Sequence, residues 1–395
     1  MSSFVGVGSV MNGSAGNGFK GLHPAQNGRA ACMHEIDLSD LLGREVIPLR
    51  TVEAEAVLKR QVILVTGAAG SIGSELCRQL LEYEPELVIA LDTNESGLFD
   101  LAEGLRSHPH AACLRLYIDD IKDVRRMAHL FEAFRPRVVF HAAAYKHVPL
   151  MEQFPQQAVH TNTLATYHLS RLACEYEVAR FIFVSTDKAA APVSVLGASK
   201  RLGELIVQSL AKSFDCRTRF CAVRFGNVIG SRGSVVPLFA QQIEHGGPVT
   251  VTDPETTRYF MTIPEACGLV ITTAAIAQQG GLYMLDMGEP LRILDLAIKM
   301  IRLRGLREGR DVQITFTGLR PGERLRETLV ASDEELVPTL YDKIFSVVYG
   351  HDLPTHSMIG EWMLVLDECL QNEDTVRLRE RLFAMMRIPE LVEVR

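Results

Sequence analysis

Gln61-Val62-Ile63-Leu64-Val65-Thr66-Gly67-Ala68-Ala69-Gly70-Ser71-Ile72-Gly73-Ser74-Glu75-Leu76 is a short apolar run that breaks into three closely spaced glycines and then into a helical period. Val62 to Val65 reads as a buried strand. From Ser71 to Glu82 the apolar residues Ile72, Leu76 and Leu80 fall on one helical face. Glycines between such a strand and helix allow a tight turn and let a ligand approach the backbone. The helix start behind them offers unpaired N–H groups and partial positive charge. Gly67, Gly70, Ser71, Ile72 and Gly73 are therefore expected to cradle the pyrophosphate of a dinucleotide.

Working outward, the same alternation repeats. Strands are expected at Leu87 to Leu91, Leu114 to Ile118, Val138 to His141, Phe181 to Val184 and Cys221 to Arg224. Helices are expected from Gly97 to Leu105, Val124 to Phe134 and Gln156 to Tyr176. Continuous apolar strands separated by helices predict an α/β fold, a Rossmann-type doubly wound parallel sheet covered on both faces. Right-handed crossovers put every strand's carboxyl end along one edge, where ligands bind. Residues 61–228 form this domain. Gly and Pro punctuation beyond it predicts a smaller C-terminal substrate-binding lobe over 229–335, with returns to the main sheet. Residues 336–395 read as a helical extension, with terminal helices within Glu361 to Met386. Residues 1–33, rich in Gly, Ser and Asn, are expected to be a disordered leader, and 34–60 a lead-in that begins with a turn at Ile36 to Arg44.

The 395 residues are 47% hydrophobic and 23% charged, enough for a large core. The net charge of -7 gives no global attraction to nucleic acid, so an anionic ligand must be met by local cations or amides. The 8 cysteines contain no Cys-x-x-Cys pair and read as thiols of a reducing compartment. No apolar run reaches the roughly 18 residues that span a bilayer, and the amino terminus lacks a signal pattern. A cytoplasmic protein with a small-molecule partner is expected.

Asp92 follows the second strand nineteen positions after Gly73. A carboxylate there bonds an adenosine ribose and repels a 2′-phosphate, which favours NAD over NADP; a helix cap is the other reading. Asp120 and Ile121, after the third strand, either meet the adenine or cap a helix. Ala142, Ala143 and Ala144 offer a small-residue floor for the nicotinamide ribose, or simply pack well.

The fifth strand delivers Ser185-Thr186-Asp187-Lys188 to the ligand edge, and Lys200 follows within Leu196-Gly197-Ala198-Ser199-Lys200. Together with the glycine turn, His141 to Tyr145 and Asn162, these residues resemble an extended short-chain dehydrogenase/reductase. Ala142 to Glu152, Arg224-Phe225-Gly226-Asn227-Val228 and Arg320-Pro321-Gly322-Glu323 are similar to its polysaccharide-biosynthesis, CapD-like branch. That branch holds UDP-N-acetylglucosamine 4,6-dehydratases and related nucleotide-sugar epimerases. The resemblance runs from about residue 36 to 330. It implies an acid at Asp187, a base at Lys188, a sugar hydrogen bond from Thr186 and ribose contacts from Lys200. Removing water across C5 and C6 of a 4-keto sugar needs an acid and a base side by side, whereas 4-epimerisation has no use for such a pair. A lysine base needs a lowered proton affinity, for which Lys146, Lys200 and partial burial are the available causes. The tyrosine usual four positions before the lysine is Leu196, which resembles the apolar residue of configuration-retaining dehydratases. The hydroxyl-proton acceptor is then Asp187, Lys188 or water held by Thr186.

The resemblance sets Asn227 and Val228 against the diphosphate and sugar. Lys146, Arg258 and Arg320 are the substrate cations expected, and Glu323 accepts from a ribose hydroxyl. Backbone amides of Gly230 to Ser234 form a candidate anion nest. His141 and His147 read as structural, and no metal is expected. The basic run Lys299 to Arg310 reads as the solvated face of an amphipathic helix. The expected ligands are NAD and a UDP-sugar, with no nucleic acid. A homo-oligomer is expected by extension from the superfamily, and the absence of a membrane span marks a soluble form or a truncation. A UDP-sugar 4-epimerase and, because of Leu196, a non-catalytic nucleotide-sugar-binding protein are the alternatives.

Overall fold

The computed structural model describes residues 50–386 apart from Phe214. The leader over 1–33 and the turn at Ile36 to Arg44 lie outside the described residues. Six parallel strands follow the glycine-turn pattern: β1 (Val62–Thr66), β2 (Leu87–Asp92), β3 (Leu114–Ile118), β4 (Val138–His141), β5 (Arg180–Val184) and β6 (Arg219–Arg224). Their spatial order is β3-β2-β1-β4-β5-β6, and Gly281–Leu285 continues it in parallel beside β6. Chain order reverses between β1 and β4, which opens a crevice at the carboxyl ends of those two strands.

Three departures from the sequence reading have physical causes. Leu336 and Val337, with Ile344 to Val348, form strands Glu334–Pro338 and Ile344–Tyr349 rather than helix. This antiparallel hairpin pairs with Gly281–Leu285 and closes the sheet edge, so the helical extension starts only at His356. The helix expected from Gln156 to Tyr176 is widened to a π-helix over Val159–Leu164, which turns Thr161, Asn162 and Thr163 inward. Cys174 and Cys216 are joined in a disulfide with Cα atoms 5.0 Å apart, against the expectation of free thiols throughout. Their separation of 42 residues hides the pairing, because only the fold brings the end of one helix to the segment before β6.

Helices Val52–Leu58, Ser71–Leu81 and Ile263–Ile276 pack together. Helices Val124–Phe134, Ala165–Glu175 and Val195–Leu210 form another group. Every residue of Val195–Leu210 is buried, because helices His356–Gln371 and Thr375–Ala384 also lie against it. The lobe has its own small core, in which Val236, Phe239 and Ile243 meet Leu296, Met300 and Ile301 across helices Val235–Glu244 and Ile293–Leu303. Among the described residues, no helix is long and apolar enough to cross a membrane.

Candidate active site

The glycine turn owes its shape to close packing. Gly67 adopts φ +72, and a Cβ there would lie 2.7 Å from the Ala143 backbone. A Cβ on Gly73 would lie 2.0 Å from the Gly67 carbonyl oxygen. Gly70 caps the Ser71–Leu81 helix with no side-chain acceptor, which leaves the first-turn N–H groups to a ligand. Beside the turn lies a cavity of roughly 210 Å³, lined by Gly67, Gly70, Asp92, Asp120, Ile121 and Ala142 to Ala144 among others. The crevice thus gathers eight positions read from sequence as cofactor contacts, and adds Lys122, Tyr145 and Thr161 to its wall. Asp92 accepts hydrogen bonds from the Ala69 N–H (2.9 Å) and the Asn94 N–H (2.9 Å). The caps of the neighbouring helices are Asn94 and Asp123, so neither Asp92 nor Asp120 is spent as a helix cap. From the lobe, the Arg232 N–H bonds Ser71 Oγ (3.1 Å) and its guanidinium bonds the Ala69 carbonyl (3.1 Å), a closure over the turn that periodicity gave no sign of.

Deeper in the crevice, His141 is fully buried between two threonines. Because Thr166 Oγ1 gives its proton to the Asn162 carbonyl, it accepts from the His141 Nε2–H at 2.9 Å, which leaves Nδ1 of the neutral ring to accept from Thr66 Oγ1 at 2.7 Å. Thr66 Oγ1 also accepts from the Ala143 N–H. This chain needs neutral imidazole, and burial, aided by the Lys200 charge, pushes His141 down to about 3. The unfolded chain takes up this proton below about 6.5 and the folded chain only near 3, so the group's stabilisation is present above 6.5 and is lost across that window as pH falls. Urea titrations should show wild type losing on the order of 4 kcal/mol more than His141→Gln between those limits. Equal losses would refute the assignment.

Lys200 is also buried, with Nζ 3.9 Å from the Phe183 ring centroid. Burial pushes its ammonium down to about 7, partly opposed by Glu204. Asn162 holds the loop after β4 by bonding the Tyr145 N–H and carbonyl, and its amide also reaches Ser199 Oγ beside Lys200.

At the end of β5, Thr186 caps a single turn over Asp187–Ala189. Thr186 Oγ1 donates to Asp187 Oδ1 (2.9 Å), and Lys188 Nζ donates to the same oxygen (2.9 Å) and to Asn227 Oδ1 (3.3 Å). Asp187 is 1% exposed, its N–H bonds the Phe225 carbonyl, and its Oδ2 is buried without a hydrogen-bond partner. Gly226 makes room for that oxygen, since a Cβ there would stand 3.0 Å from it. Leu196 is buried in the main core and brings no proton-transfer group.

The lobe residues divide. Asn227 reaches Lys188, and Val228 packs against the main core. Lys146 follows Tyr145 on the loop after β4, and partial desolvation lowers its pKa. Arg258 is occupied: it donates to the Thr257, Leu325 and Arg324 carbonyls and pairs with Glu327 at 3.5 Å. Arg320 and Glu323 pair with each other at 2.7 Å on the same loop. Glu327, one acidic residue among the charges of this loop, lies 3.9 Å from Lys188 Nζ and joins the loop to the Asp187–Lys188 turn. Glu152 belongs to the Ala142–Glu152 motif. It accepts the Val195 N–H at 2.7 Å and pairs with Arg379, anchoring the start of the Lys200 helix.

Residues 63–349 match the family model described as polysaccharide biosynthesis protein. The capsular polysaccharide biosynthesis protein CapD of Staphylococcus aureus is 44% identical over 341 residues, covering 86% of this chain and 56% of CapD. The chain therefore spans little more than half the length of that relative. A UDP-glucose 4-epimerase of Rickettsia bellii is 32% identical over 326 residues, 80% of this chain and 92% of the relative. Among solved structures, Pen from Bacillus thuringiensis superposes with TM-score 0.68 at 32% identity, covering 76% of this chain and 90% of Pen.

Proposed function

Since the chain belongs to the polysaccharide biosynthesis family, in the CapD-like branch of the extended short-chain dehydrogenase/reductases, we propose that it is an NAD-dependent nucleotide-sugar 4,6-dehydratase acting on UDP-N-acetylglucosamine. The observation that carries this reading is the pairing of Asp187 and Lys188, with Asp187 Oδ2 buried and free of donors.

The glycine turn, Asp92 and the alanine floor fit a dinucleotide, and Lys200 is the residue to hold its ribose hydroxyls. Bound there, NAD supplies reversible hydride acceptance, from C4 of the sugar and back to C6. The protein's own task is then proton movement. Leu196 cannot accept the O4 proton released on oxidation, and Thr186 bridges to Asp187, so that proton passes to Asp187. Lys188, entering the step as the neutral amine, removes the C5 proton made acidic by the adjacent ketone, while Asp187 hands its proton to the C6 hydroxyl, which departs as water. The C5 proton returns from Lys188 as hydride reaches C6. Each group ends as it began, and one water has left. Arg258, Arg320 and Lys146 are the cations proposed for the diphosphate of the substrate, and binding to Arg258 requires it to exchange Glu327 and carbonyl oxygens for phosphate.

Incubation with UDP-N-acetylglucosamine and NAD should lower the nucleotide-sugar mass by one water. An unchanged mass with interconversion at C4 would instead support the epimerase reading, which the Rickettsia bellii relative favours. No net reduced cofactor should accumulate with product.

A further inference from the structure

Arg224, at the carboxyl end of β6, is fully buried, and a guanidinium there is tolerated only with carboxylate partners. It has two. Nε and Nη2 donate to Glu204 at 2.7 and 2.8 Å, and Nη1 and Nη2 donate to Glu334 at 2.8 and 2.9 Å. Arg201 completes a neutral cluster, pairing with Glu204 (3.1 Å) and Glu334 (3.5 Å) and donating to the Tyr349 hydroxyl (2.6 Å). Glu334 and Tyr349 belong to the hairpin at the sheet edge. A buried cluster of this kind gives little net stability over well-packed apolar side chains, so what it fixes is geometry.

The geometry concerned is that of the reaction centre. Glu204 Oε1 accepts a hydrogen bond from Ser185 Oγ at 2.6 Å, and Ser185 immediately precedes Thr186-Asp187-Lys188. Ser185 N–H bonds the Val223 carbonyl and Asp187 N–H the Phe225 carbonyl, so the turn is pinned on both sides of Arg224. Glu204 also stands one helical turn beyond Lys200. Lys200 is faced by the Phe183 ring on β5, by neutral His141 on β4 and by Glu204, whose own charge is balanced by Arg201, Arg224 and, through them, Glu334 and Tyr349.

We propose that Glu204 is a positioning residue of the reaction centre, held by Arg224 and Glu334, so that the C-terminal hairpin sets the geometry of the Thr186–Lys188 turn. The inference rests on the dehydratase reading for its kinetic test. Ser185→Ala removes one hydroxyl and leaves all four charges paired; it should lower kcat about tenfold with KM within about twofold and the melting temperature within a few degrees. Glu334→Gln should lower kcat about fivefold. Because both act through one contact, the double variant should be down about tenfold rather than about fiftyfold. Unchanged kcat in Ser185→Ala, or multiplying effects, overturns the proposal, and Ser185→Ala decides it even where the charge variants do not accumulate. A wild-type protein that releases no water from a UDP-sugar removes the dehydratase reading instead. NAD affinity measured against pH by calorimetry then still tests the placement: the Lys200-dependent midpoint should be lower in Glu204→Gln than in wild type, and an unmoved midpoint refutes it.

Discussion

Asp187→Asn is expected to lower kcat for water release by about a thousandfold while NAD affinity stays within about twofold. Asparagine keeps the shape and can still accept from Thr186 and Lys188 at the position of Oδ1. It can also keep the backbone bond to Phe225. The fold should therefore survive. What is lost is a group that receives and releases a proton at the buried oxygen beside Gly226. Rapid mixing separates its two duties. If Asp187 takes the O4 proton as well as serving as the acid, the variant shows no transient reduced-cofactor absorbance. If it is the acid alone, the absorbance rises and stays. A kcat within about tenfold of wild type would remove Asp187 from the chemistry, since general acid catalysis alone contributes about 10²–10⁴.

The parallel sheet was legible because its strands are short runs rich in apolar residues and the first four are each followed by helical periodicity, a local signal. The hairpin from Glu334 was not. Its strands are partly exposed and alternate weakly, and they become strands by pairing with Gly281–Leu285, a partner distant in sequence. The same distinction runs through the site. Gly67, Asp92 and the Thr186–Lys188 turn announce themselves by position after a strand. Arg232 and Glu327 do not, because each is one charge in a loop, and it gains meaning only when the lobe folds back on the sheet. Arg224 was visible only as part of a motif, and nothing local marks a cation at a strand end as fully buried. Its partners lie 20 and 110 residues away. Arg258 is the converse: its charge suggests a free phosphate ligand, whereas its guanidinium is held by the Arg324 and Leu325 carbonyls, 66 and 67 residues further on.

Substitutions in the glycine turn should separate packing from binding. Gly73→Ala places a Cβ 2.0 Å from the Gly67 oxygen, and Gly67→Ala combines φ +72 with contact at 2.7 Å on the Ala143 backbone. Both should destabilise the fold, Gly67→Ala by roughly 1–3 kcal/mol for the left-handed conformation alone, and both should lower NAD affinity at least about a hundredfold. Neither result would distinguish a binding turn from a turn that merely packs. Gly70→Ala does. Its φ of -75 suits any residue, and its Cβ meets only the Gly67 oxygen, at 3.1 Å, so the turn can admit it with a small adjustment. Gly70 caps the helix and lines the crevice where a pyrophosphate would rest, so the added methyl takes up room there. The expected outcome is a melting temperature within a few degrees of wild type together with NAD affinity reduced at least about thirtyfold, measured by calorimetry. Unreduced affinity in a fully folded Gly70→Ala protein would return the glycine turn to a packing role and take the dinucleotide, and with it the hydride chemistry, out of this crevice.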